Sequence, residues 1–285
     1  MVGTLYAFSL PKDKSYVRAS CCGALGVINE SISESIYETA SAGKKINLAS
    51  LKGAAVFGIT GNPLYEGTTK GISYRDSKVW SFLQGPLSWS LGYDWSGEWS
   101  GYTAVGRTFG GFGCGFCCMA NIYNTLSGRE ASPLDFFDFA IEKTAYSEQG
   151  TGAIGWGHLK NTLKAAGLSC DVYYKPETYE AFKEQIDETK SAIVLVSSNA
   201  DNSFWQDTPG HYVNIWNYNK ADGTVMLCEP GDPWNNRSRI SLEYVYKALK
   251  VTSKYQYLMV DGYDEASDGL LSEGIDDAWC RPDEI

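Results

Sequence analysis

Gly113-Cys114-Gly115-Phe116-Cys117-Cys118-Met119-Ala120 is the stretch on which the reading of this 285-residue chain turns. Behind the first cysteine, Phe116, Met119, Ala120, Tyr123 and Leu126 recur at three- and four-residue steps, the spacing of an amphipathic helix, and Ser127-Gly128 supplies a stop. In front of it, Phe109-Gly110-Gly111-Phe112-Gly113 is a glycine-rich approach that lets backbone come close to a ligand. Cys114 therefore falls where a loop becomes a helix. A free thiol, with a pKa of about 8.5, is mostly protonated at neutral pH, but a helix N-terminus and a neighbouring imidazolium each favour the thiolate. A cysteine so placed has the setting of a nucleophile, and the chain must then supply a base.

With two histidines, His158 and His211, the choice of base is narrow. His158 follows Gly155-Trp156-Gly157 at the start of a helix ending at Gly167 and reads as a cap-region side chain, outside the reacting group. His211 opens a strand running to Tyr218, and a second strand, Thr224 to Glu229, follows a connection containing Asp222-Gly223, a hairpin signal. In that hairpin the start of one strand lies near the end of the other. Glu229 is then the first candidate for the carboxylate that fixes the imidazole tautomer, and Asp232, in the turn beyond, is the alternative.

Gly113, Cys114, Gly115 and Ala120, then His211, Tyr212, Val213 and Ile215, resemble the papain-like bacterial peptidases related to the bacteriocin-processing, double-glycine-leader family. That family's motif reads roughly G-C-G-x-x-x-x-A, then H-[YF]-V-x-[IV], then D-P. The resemblance spans about Gly110 to Pro233. It implies an α+β, papain-like fold, a helix carrying the nucleophile packed on an antiparallel sheet, and a triad of Cys114, His211 and Glu229. Two departures stand out. Glu229 precedes the proline where the family has Asp, and Thr108 stands where it places an oxyanion-binding glutamine. Gln84 precedes the nucleophile by thirty residues and is the candidate for that role if the fold returns it, beside the backbone N–H of Cys114.

Other readings of the cysteines carry less. Cys114-Gly115-Phe116-Cys117 is a C-x-x-C, yet no second one exists to complete a zinc site, and no βαβ context supports dithiol redox chemistry; no metal or cofactor is expected. Cys117 and Cys118 read as core residues on the helix face. The function expected is thiol-dependent hydrolysis, with a peptide or protein as substrate. An amidase or transglutaminase on the same scaffold, and a binding protein that kept the fold without turnover, are the alternatives.

Composition frames this. A hydrophobic fraction of 44% with 20% charged residues is that of a folded chain, and a formal charge of −10 argues against nucleic acid as partner. No apolar run suggests membrane insertion, and the paired cysteine doublets suit reduced thiols and a cytoplasmic setting, or a secreted one had a signal been removed. The domain reading is an N-terminal region, 1–105, a papain-like catalytic domain, 106–262, and an acidic tail, 263–285. In the first region a helix is expected around Ile28 to Ser41 and apolar runs at Thr4 to Leu10 and Ala54 to Thr60. Trp80, Trp89, Trp95 and Trp99 read as core cover, with a binding surface as the sharper alternative. Downstream, helices are expected from Ser132 to about Lys143, from Thr178 to about Thr189 and from Ser241 to Lys250, and strands at Ser191 to Ser197 and Tyr255 to Asp261.

Overall fold

The computed structural model describes residues 4–5, 46–47, 76–86, 88, 95–104, 106–146, 153–198, 204–205 and 208–273. Two compact units, Met1–Glu66 and Gly67–Ile285, divide the chain. In the first, β1 (Thr4–Leu5) pairs antiparallel with β2 (Ile46–Asn47). The helix expected around Ile28 to Ser41 and the run Ala54 to Thr60 lie outside the described residues.

The second unit begins, among its described strands, with a short hairpin of β3 (Thr103–Ala104) and β4 (Arg107–Thr108). Its main sheet has six strands in the order β5-β10-β6-β7-β8-β9, every neighbouring pair antiparallel. These are β5 (Ala166–Tyr173), β6 (Ser191–Val196), β7 (His211–Asn219), β8 (Thr224–Cys228), β9 (Ser238–Ser241) and β10 (Tyr257–Asp268). Side chains alternate across the sheet with a period of two and so divide the interior into two cores. Ile193, Leu195, Tyr212, Trp216, Met226 and Cys228 join one core, whereas Val194, Val196, Val213, Ile215, Val225 and Leu227 join the other.

Helices α1 (Cys114–Ser127), α2 (Pro133–Thr144) and α3 (Trp156–Ala165) fill the first core, and α4 (Tyr179–Glu188) and α5 (Leu242–Ala248) cover the second. The capping signals act as read: Ser132 and Asp135 form a reciprocal box at the start of α2, and the Thr178 hydroxyl accepts from the Ala181 N–H at 3.3 Å. α1 is buried on all sides from Cys114 to Asn124, so it is the central element of its layer. Its two buried asparagines are satisfied across elements. Asn121 accepts from the Phe82 N–H at 2.8 Å and donates to Asn214 Oδ1 at 3.0 Å, while Asn124 exchanges two bonds with the Ala131 backbone.

Residues 76–104 are built into the second unit. Trp80, Phe82, Trp95 and Trp99 pack in the same core as Phe116 and Met119 of α1, which settles these three tryptophans as core; Trp89 lies outside the described residues. Residues 76–85 form a strap along the sheet end. Asp76, 1% exposed, takes two bonds from Arg239 of β9, at 3.0 and 2.8 Å, and a third from Asn217 Nδ2 at 3.0 Å. Arg237 donates to the Val79 carbonyl at 2.6 Å and Asn236 to the Ser81 carbonyl at 3.1 Å. Asp76→Asn is expected to lower stability by about 3 kcal/mol, because it leaves the Arg239 guanidinium buried without its charge partner. Thermal melting checks this, and an unmoved Tm would show that the clamp does not hold the strap. The segment expected as tail from 263 starts inside the fold: β10 pairs Tyr263 with Leu168 and Asp268 with Ala166, and α6 (Gly269–Glu273) follows.

Candidate active site

Cys114 is the first residue of α1, and the two glycines around it are required by close packing. A Cβ on Gly113 would lie 2.2 Å from the Phe109 ring, and one on Gly115 2.5 Å from Ile154 Cγ2. The flanking glycines thus let the helix start be pressed between the approach loop and the 154–156 segment. The helix end itself carries no acidic residue in its first turn and no side-chain cap, so its unpaired N–H groups turn their partial positive charge on the Cys114 side chain uncompensated.

His211 begins β7, and Glu229 lies one residue past the end of β8. The last paired residues of this hairpin are Asn214 and Cys228, so both side chains stand at the open end of the sheet, where α1 begins. His211 Nε2 is hydrogen-bonded to Glu229 Oε1, and the ring lies within electrostatic reach of Cys114, with Nδ1 the nitrogen that Glu229 does not engage. Burial alone would push the imidazole down. The Glu229 charge, reinforced by Cys114 and by the bond to Glu229, overrides it, and His211 titrates well above the ordinary 6.5.

Glu229 is 1% exposed, and its carboxylate is fully engaged. Oε1 also accepts from the Gly231 N–H at 3.0 Å, and Oε2 accepts from the Trp205 indole Nε1 at 2.6 Å. The alternative acid, Asp232, is turned to its own loop, accepting from the Trp234 N–H at 2.9 Å and from Asn235 Nδ2. Burial pushes its carboxyl up. Of the two candidates, the structure brings Glu229 to the imidazole.

Gln84 is returned to the site by the strap. Its backbone N–H donates to the Pro230 carbonyl at 2.9 Å and its Nε2 to the Gly110 carbonyl at 2.7 Å, so one amide hydrogen is engaged and, among the described residues, the second makes no bond. A cavity of about 450 Å³ is lined by Gln84, Cys114, Trp205, His211, Glu229 and Asp232 among others. His158 stands apart, its Nδ1 within 3.1 Å of the Thr144 carbonyl and hydroxyl. Cys117 and Cys118 are wholly buried, and burial pushes both thiols well up, as suits inert core residues. Trp205 is the contact that sequence reasoning missed, since nothing in the Phe204-Trp205 pair itself points to a carboxylate twenty-four residues on.

A cysteine at the start of a helix packed on an antiparallel sheet, with the histidine at the end of a neighbouring strand, is the α+β, papain-like arrangement. No protein-family model matches the chain, and no curated protein matches it. Among solved structures it is similar to the peptidase domain of Streptococcus ComA, a bi-functional ABC transporter involved in a quorum-sensing pathway, at 17% identity and a TM-score of 0.35 over 52% of this chain and 90% of that one.

Proposed function

We propose that this chain is a thiol-dependent hydrolase, a peptidase of the papain-like, bacteriocin-processing type, with Cys114, His211 and Glu229 as its triad. The observation that carries the reading is the single imidazole bonded to a buried carboxylate and lining one cavity with Cys114. Glu229 holds the proton on Nε2, so Nδ1 is the nitrogen that takes the thiol proton. The sulfur then attacks the carbonyl carbon of the scissile bond. The resulting oxyanion is met by the Cys114 backbone N–H and by the second N–H of Gln84. His211 returns the proton to the leaving amine, which departs and leaves a thioester; water, deprotonated by the same nitrogen, releases the acid.

The spare donor on Gln84 favours turnover over a silent binding fold, and the acidic charge of the chain fits a basic peptide. The test is labelling with a thiol-directed electrophile followed by peptide mapping. Cys114→Ala is expected to abolish labelling, while Cys117→Ala and Cys118→Ala retain it. Labelling that survives the loss of Cys114 would refute the assignment. A panel of peptides and simple amides then separates a peptidase from an amidase.

A further inference from the structure

We infer that Trp205 is a positioning residue of this site, its indole N–H holding Glu229 as a carboxylate aimed at His211. The inference rests on the triad reading and extends it by one residue.

An indole N–H is a donor and never an acceptor, and a backbone N–H likewise. Glu229 Oε2 receives the first, from Trp205 at 2.6 Å, and Oε1 the second, from Gly231 at 3.0 Å. A proton on Oε2 would face a hydrogen that cannot accept it. Two donors that cannot accept a proton thus support negative charge on this buried carboxylate, 1% exposed, and favour a remaining bond in which His211 Nε2 donates. That directs the neutral ring to the tautomer with Nδ1 free for Cys114. Trp205 is itself 6% exposed, so its bond to Glu229 is shielded from water. The other titratable groups whose charges act at Glu229 are Cys118 of α1, Cys228 of β8 and Asp232 of the following loop, none of which donates to it among the described residues.

Trp205→Phe keeps an aromatic ring and removes the donor. Without that bond Glu229 is no longer held against the ring and stabilises the imidazolium less. The limb of the pH profile for Cys114 alkylation by iodoacetamide at which the imidazolium is lost is then expected to move down by about one pH unit, the order of one charge-assisted hydrogen bond. A purely structural tryptophan would alter the amplitude or the melting temperature and leave the limb in place, so coincident limbs in variant and wild type overturn the inference. Should Trp205→Phe fail to fold, 3-benzothienylalanine at position 205, which matches the indole in shape and lacks the N–H, gives the same reading. A wild-type Cys114 no more reactive than cysteine in a short peptide overturns the triad and this inference together. A reactive wild type with an unmoved limb in the variant overturns the inference alone.

Discussion

Hydrolysis of a cleavable peptide is expected to fall on the order of 10⁴-fold or more in Cys114→Ala and in His211→Ala alike, with little further loss in the double variant. On the triad proposed above the losses are non-additive, because the two side chains would act as one unit and the base would have nothing to deprotonate once the sulfur is gone. Initial rates under saturating substrate measure it. A His211→Ala protein within tenfold of wild type would remove the imidazole from the mechanism. The same variant carries a stability signature. Because the folded pKa of His211 is raised, its charge pair with Glu229 contributes in full below the unfolded value of about 6.5 and is lost as pH rises through the folded value. The difference in unfolding free energy between wild type and His211→Ala is therefore expected to shrink with rising pH above about 6.5, and a difference that grows would contradict the pairing.

Gln84→Ala is expected to lower kcat about a hundredfold or more while changing KM little, since an oxyanion donor acts where charge develops in the transition state. The substitution also frees the Gly110 carbonyl that Nε2 now occupies, so the approach loop loses a tether to the strap. If Gln84→Ala leaves kcat within threefold, the backbone N–H of Cys114 and another donor must hold the oxyanion, and the strap is scaffold alone.

Local signals in the sequence read through to the fold, and long-range ones did not. The α1 spacing, the Ser132 and Thr178 caps and the hairpin from His211 to Cys228 each depend on neighbours a few residues apart, and each sits within a residue or two of its expected bounds. β5 was hidden because α3 ends at Ala165 and the strand starts at Ala166, with Gly167, at φ +76°, reading as a helix stop. β10 runs seven residues beyond its expected end at Asp261, through the exposed acidic stretch Asp264 to Ser267, whose composition reads as tail. The site residues divide the same way. Cys114, His211 and Glu229 carry their own motifs, whereas Gln84 is seated through the Pro230 and Gly110 carbonyls and Trp205 through Glu229, partners that no spacing rule connects.

The strap has a further consequence for the life of the molecule. Its anchors, Asn217, Asn236, Arg237 and Arg239, are all synthesised long after Gln84 leaves the peptidyl-transferase centre. On the reading argued above, a nascent chain on the ribosome possesses its nucleophile well before it can clamp the oxyanion donor, and the reactive thiol matures into a working centre only once β9 has emerged and closed over residues made a hundred and fifty positions earlier.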